Sequence, residues 1–212
     1  MKIPFASLLL LMLLSAGPAR AEQPPQPLRV VVLGDSLSAG YGLTPGSAFP
    51  ARLEAQLLRR GYQVRVSNAG VSGDTSAGGL ARLDWSLEEK PALMIVELGA
   101  NDALRGLDPL QTKQNLSAIL SRLRAAGVQP LLAGMKAPRN LGESYYSKFD
   151  RLYVELARQH QVPLYPFFLA GVAGDPGLNQ ADGIHPTAAG VEVMVRGMLP
   201  LVAELLDQLT AK

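Results

Sequence analysis

LRVVVLGDSLSAGYG, residues 28–42, runs from a β-branched apolar stretch directly into glycine, aspartate and serine. Val30-Val31-Val32-Leu33 shows no alternation of polar and apolar residues, so a strand there is buried on both faces. Gly34-Asp35-Ser36 then interrupts the run with turn-forming residues, and Ser38, Gly40 and Gly42 keep the exit small. A strand covered on both faces implies a parallel sheet between helices, and the rest of the chain keeps that rhythm. Residues 28–33, 64–68, 93–98, 128–133 and 162–165 read as short buried strands. Helical patterns fall between them at 48–60, 75–86, 110–126 and 144–160, with a last one at 187–209. In the pattern at 110–126, Leu110, Leu116, Ile119, Leu120 and Leu123 share one face, and Gly127 supplies a stop. Pro200 inside the last pattern predicts a kink or a break. Alternation with short connections gives βαβ units, so the fold class is α/β with a mostly parallel sheet.

The start of the chain has a different character. Met1-Lys2 is a short positive region, residues 3–14 are almost wholly apolar, and Ala19-Arg20-Ala21 has the small-x-small form of a signal peptidase site. The apolar run falls short of the roughly 20 residues that a membrane span needs. Residues 1–21 are therefore expected to be a cleavable signal peptide, 22–27 a Pro/Gln-rich tether, and 28–212 a single domain. The absence of cysteine excludes lipid attachment at a lipobox, disulfides and thiolate metal sites. Of 20 Lys+Arg against 18 Asp+Glu, Lys2 and Arg20 lie in the leader, which leaves the remainder balanced. A neutral chain offers no electrostatic case for nucleic acid or for an anionic membrane surface. Only two histidines are present, which narrows the choice of any imidazole base.

Open parallel sheets bind ligands beyond the carboxyl ends of their strands. Four exits there are rich in glycine and polar residues: 34–36, 68–75, 99–102, and 182–186 before the last helix. Asp182 precedes His185 by three residues, a spacing that can bring a carboxylate to Nδ1 and leave Nε2 free to take a proton. A helix-capping aspartate beside a surface histidine is the plainer alternative. His160 ends a helix with no acid within four residues and reads as a cap or a surface residue. Ser36 is either a turn residue or a nucleophile on a sharp strand exit. The G-x-S-x-G elbow of α/β-hydrolases is absent, because Ser38 stands at the last glycine position, and Gly70-Val71-Ser72 fails in the same way at Asp74. Asn101 and the Gly70 amide, with the Ser36 amide, could supply three donors to an oxyanion. Asp35, Asp74 and Asp102 read as loop-fixing acceptors.

Taken together, Gly34-Asp35-Ser36-Leu37, Gly70, Gly99-Ala100-Asn101-Asp102 and Asp182-Gly183-Ile184-His185 make the chain resemble the GDSL or SGNH hydrolase family over residues 28–205. Within that family, compact size and the stretch Ala69-Gly70-Val71-Ser72-Gly73-Asp74-Thr75 are similar to exported bacterial thioesterase, arylesterase and lysophospholipase enzymes. The resemblance implies a flavodoxin-like three-layer α/β/α sandwich around a five-stranded parallel sheet. It implies Ser36 as nucleophile, Asp182 and His185 as its relay, and an oxyanion hole of Ser36, Gly70 and Asn101. It also implies a periplasmic location, no metal or cofactor, and a small ester, thioester or lysophospholipid as substrate. Nucleic acid and a stable membrane anchor are not expected, and a monomer is the default. Leu104, Leu107, Pro138 and Leu141, in the loops after strands three and four, are candidates for holding an acyl chain. Three rivals stand beside this reading: a sugar O-acetyl deacetylase or transacetylase with the same triad, a catalytically silent binding module, and a nucleotide or flavin carrier. The last lacks a G-x-G-x-x-G after any strand.

Overall fold

The valines that open the domain are buried on both faces as their sequence demands. In the computed structural model, which describes residues 26–211, Val30, Val31, Val32 and Leu33 are all fully inaccessible. The elements in chain order are β1 (Leu28–Gly34), α1 (Ser36–Ala39), α2 (Phe49–Arg59), β2 (Val64–Gly70), α3 (Ser76–Ala81), α4 (Leu83–Glu88), β3 (Leu93–Glu97), α5 (Ala100–Leu104), α6 (Pro109–Ala125), β4 (Gln129–Ala133), α7 (Glu143–His160), β5 (Leu164–Tyr165) and α8 (Ala188–Thr210). Short 3₁₀ turns lie at Pro45–Ser47 and Arg139–Leu141. The expected signal peptide and most of the tether lie outside the described residues.

The strands form one parallel five-stranded sheet in the order β2-β1-β3-β4-β5. Helix α2 packs against α8, and α6 packs against α3 and α7, which gives the α/β/α layering. The chain leaves β1 toward β2 on one side and reaches β3 on the other, so the strand order reverses at β1 and β3. A crevice opens at such a reversal. The register sets Gly34 opposite both Gly70 and Glu97, so three strand exits start from one row.

Several details depart from the sequence reading. The helix expected at 75–86 is two helices, because Arg82 (φ −105°, ψ 9°) breaks it. The Arg82 guanidinium donates to the carbonyls of Ala69 (2.6 Å) and Gly34 (2.7 Å) and pairs with Asp74, tying two strand exits together. Leu110 is exposed, and Thr112 takes its place on the buried face of α6. No break occurs at Pro200, since α8 continues through it. Pro200 and Arg196, four residues before it, both lie on the exposed side of α8. His160 is buried rather than on the surface, and its Nε2 lies 2.8 Å from Ser117 Oγ on α6. Burial, and then the Arg124 charge, lower its pKa.

Candidate active site

Ser36 is the first residue of a one-turn helix that starts directly off the central strand β1. Asp35 caps that helix, its Oδ1 accepting from the Leu37 amide at 3.0 Å. This turn points the Ser36 hydroxyl out of the sheet edge, where His185 Nε2 lies 2.9 Å away although 149 positions separate the two residues. The histidine comes from the loop before α8. Gln180 holds that loop: its amide donates to the His185 carbonyl (2.7 Å), and its side chain donates to Pro186 O (2.9 Å) and to Tyr41 O (2.7 Å). Gln180 therefore joins the histidine loop to the chain just after α1, a role that no local motif signals. The Tyr41 ring sits 4.5 Å from the imidazole, centroid to centroid.

Asp182 binds the other side of the ring, Oδ2 to Nδ1 at 2.7 Å. Its Oδ1 accepts from the amides of Ile184 (2.9 Å) and His185 (3.0 Å), so the carboxylate is fixed by its own loop. These donors, the His185 amide first and then the imidazole and the Ile184 amide, draw the Asp182 pKa down to about 2. Hydroxyl, imidazole and carboxylate thus form one hydrogen-bonded line.

Asn101 lies in α5, just beyond β3. Its Nδ2 donates to the Asp74 carbonyl (2.9 Å) and, over a longer 3.2 Å, to Asp35 Oδ2. The donor expected from Gly70 is already engaged: its amide donates to Asn68 Oδ1 at 2.9 Å, and the backbone of Ala39 and Asp35 fills the space beside its Cα. Gly73, three residues further on, has the more suitable amide. It adopts φ +86°, a conformation that suits glycine, and its N–H has no acceptor among the described residues. It immediately precedes Asp74, which holds Asn101. Asp102 accepts from the Ser76 amide (2.8 Å) and hydroxyl and from Thr112 Oγ1 (3.1 Å), fastening α5 to α3 and α6. Asp35, Asp74 and Asp102 all act as hydrogen-bond acceptors, Asp102 from within α5.

The electrostatics beneath the serine include a residue the sequence reading overlooked. Asp35 is fully buried, and desolvation lifts its pKa to about 6 against the pull of the Leu37 amide, the nearby His185 and Asn101. Glu97, equally inaccessible, lies against it and has its pKa raised well above the usual carboxylate range by burial and by the Asp35 charge. The available signal was a lone acid ending the otherwise apolar run Leu93-Met94-Ile95-Val96.

A cavity of about 500 Å³ opens beside the Ser36–His185 pair, well within the size range of small-molecule sites. Leu104, Met135, Pro138, Phe167, Leu169 and Ala173 give it apolar walls, and Lys136 and Arg139 also line it. Of the four acyl-site candidates, Leu104 and Pro138 line this cavity. Leu107 and Leu141 do not: the Leu107 carbonyl is bound by Tyr145 Oη (2.7 Å), and Leu141 borders a separate hollow near Asp108. Phe167 and Leu169, beyond β5, were missed. Their only signal was an apolar cluster after a strand end.

A doubly wound α/β/α protein with serine, imidazole and carboxylate aligned at its switch point, beside an apolar cavity, has the build of a serine esterase. Residues 32–193 match the model of the GDSL-like Lipase/Acylhydrolase family, and the chain belongs to that family. It is 47% identical over 178 residues to Esterase TesA of Pseudomonas aeruginosa, covering 84% of this chain and 89% of that one. It is 43% identical over 180 residues to Thioesterase 1/protease 1/lysophospholipase L1 of Escherichia coli K12, covering 82% and 84%. Among solved structures, AlinE4, an SGNH-hydrolase family esterase, superposes with a TM-score of 0.73 at 48% identity, covering 86% of this chain and 98% of that one.

Proposed function

We propose that this esterase hydrolyses carboxylic esters and thioesters through an acyl-enzyme on Ser36. His185 Nε2 takes the Ser36 proton as Oγ attacks the acyl carbonyl, and Asp182 holds the imidazole in the required tautomer and stabilises its cation. The developing oxyanion is met by the Ser36 amide, Asn101 Nδ2 and the Gly73 amide, the last in place of Gly70. His185 then protonates the departing alkoxide or thiolate, and water repeats the sequence to release the acid. Of the two Asn101 contacts, the longer, 3.2 Å to Asp35, is the one expected to yield to the oxyanion while the Asp74 carbonyl keeps the amide group in place. The observation that carries the reading is the 2.9 Å approach of His185 Nε2 to Ser36 Oγ with Asp182 on Nδ1.

The cavity supports a particular substrate class. Its apolar walls suit an acyl chain longer than acetyl, which favours fatty esters, thioesters or lysophospholipids over O-acetylated sugars. Export through residues 1–21 would place the enzyme in the periplasm, and N-terminal sequencing of the exported protein should then begin at Glu22. Turnover of p-nitrophenyl butyrate by Ser36→Ala and His185→Ala tests the mechanism. Both variants are expected to lose all but background activity, and near-wild-type turnover in either would remove that residue from the chemistry.

A further inference from the structure

Beneath the nucleophile turn lies a carboxyl that the acyl-transfer steps leave without a role. Glu97 ends β3 opposite Gly34, and its Oε2 accepts from the Ser38 hydroxyl at 2.6 Å and from the Asp35 amide at 3.3 Å. The Ser38 amide also faces the carboxyl. Its Oε1 is buried with no hydrogen-bond partner among the described residues. Gly34 makes room for this arrangement, because a Cβ there would overlap both Ser38 Oγ and Glu97 Oε2. The linkage continues through Asp35, whose Oδ1 accepts from Leu37 and whose Oδ2 accepts from Asn101. A single buried carboxyl therefore touches the residue before Ser36 and the residue two after it, and reaches Asn101 through one intermediary.

We propose that Glu97 is a positioning residue for ester hydrolysis, a neutral carboxylic acid under the Ser36 turn whose Oε2 clamps Ser38 and the Asp35 amide so that the Ser36 hydroxyl and the Asn101 amide keep one relative placement. The inference rests on the reading of Ser36 as nucleophile. A buried carboxylate anion needs donors on both oxygens or a cation, and Glu97 has neither. The titratable and charged groups around the pair are Asp35 itself, Asp102 and His185, with Tyr153 from α7. Arg82, the cation bonded to the Gly34 carbonyl, is committed to Gly34, Ala69 and Asp74 and gives Glu97 nothing. Two adjacent buried carboxyls without a cation hold at least one proton between them, and Asp35, with donors on both oxygens, is the one suited to ionise.

The test compares wild type with Glu97→Gln, Glu97→Leu and Ser38→Ala, recording kcat and KM for p-nitrophenyl butyrate from pH 5 to 9 alongside thermal unfolding. Gln replaces a neutral acid by a neutral isostere that keeps the acceptor, so E97Q is expected to retain kcat within about threefold and to leave the acid limb of the pH profile in place. Leu removes the clamp, and kcat is expected to fall by about tenfold or more with KM little changed. If E97L does not fold, S38A opens the same clamp from the other side at little volume cost, with an expected loss of about threefold to tenfold in kcat. A tenfold loss in folded E97Q, or an acid limb displaced downward by a full pH unit, would mean that Glu97 acts as an anion and would overturn the proposal. So would wild-type kcat in S38A or in folded E97L. Ser36→Ala run in parallel separates the two levels, since turnover surviving in S36A defeats the nucleophile reading itself and not the clamp alone.

Discussion

Replacing Asn101 by alanine isolates the contribution of one of the proposed oxyanion donors. In the resting enzyme Asn101 Nδ2 is held at 2.9 Å by the Asp74 carbonyl and at 3.2 Å by Asp35, so its placement is fixed before substrate arrives. Alanine leaves the Ser36 and Gly73 amides in position and leaves the Ser36–His185–Asp182 line untouched. Losing one donor from such a site lowers kcat by ~10²–10³, equivalent to about 2.7–4 kcal/mol of transition-state stabilisation. The ground-state carbonyl gains little from the same donor, so KM should move less than threefold, by the logic of differential binding. The two resting hydrogen bonds that disappear are worth about 1 kcal/mol each, which corresponds to a fall of roughly 4–8 °C in Tm for a domain of this size. At 25 °C the variant is therefore folded, and its loss is kinetic. The assay is steady-state hydrolysis of p-nitrophenyl butyrate, paired with the rate of Ser36 labelling by a fluorophosphonate, whose attack also generates an oxyanion. Both rates should fall together. A folded Asn101→Ala enzyme with kcat within threefold of wild type would refute the assignment, as would a loss confined to KM.

Asp182→Asn should lower kcat by ~10²–10⁴ with little change in KM, because an amide facing Nδ1 favours the imidazole tautomer that cannot take the Ser36 proton; an unchanged kcat would exclude the relay. His160→Gln should flatten the dependence of Tm on pH below neutrality. The folded pKa of His160 is depressed by burial, so the stability it contributes is present above the unfolded value of about 6.5 and is lost as pH falls toward the folded pKa. Asp35, raised to about 6, acts in the opposite sense, favouring the fold as pH drops from there toward the usual carboxylate value. Thermal melts between pH 5 and 7.5 that show the same slope in wild type and variant would rule out the histidine term. Leu169→Trp narrows the cavity wall and should reduce kcat/KM for a p-nitrophenyl decanoate at least tenfold more than for the butyrate, on the scale of a few methylene contacts. Equal losses on both esters would show that the acyl chain lies elsewhere.

The sheet was legible because the polar residues of β1, β3 and β4 (Arg29, Glu97 and Gln129) stand at or next to the strand ends and leave uninterrupted apolar runs buried on both faces. What periodicity misjudged was decided by side chains acting at a distance. Arg82 divides a helix because its guanidinium is needed at the Gly34 and Ala69 carbonyls. Leu110 satisfies the spacing of an apolar face yet faces solvent at the first turn of α6, where Asp102 recruits Thr112 instead. His160 has no acid near it in the chain, but a serine on the neighbouring helix lies within hydrogen-bonding distance of its ring, and only tertiary packing reveals that partner.

The site divides along the same line. Asp182 and His185 meet within one loop turn, so their spacing alone carries the geometry, whereas Ser36 joins them across the whole length of the domain and only the order of the strand exits hinted at it. Gly70 ends β2 and Gly73 lies three residues further along the same exit, and the sequence reading selects only the former. The choice between them depends on Asn68 bending back onto the Gly70 amide, a side-chain event with no periodic signature. Glu97 was hidden for a related reason. A single acid at the end of an apolar strand reads as the point where the strand meets water, yet here the exits of β1 and β3 lie side by side and the acid turns inward under the serine. The glycine of Gly34-Asp35-Ser36 then has a physical explanation beyond turn formation. It leaves a space the size of a side chain, a carboxyl from the adjacent strand fills it, and any Cβ at that position would have to displace the group that braces the nucleophile.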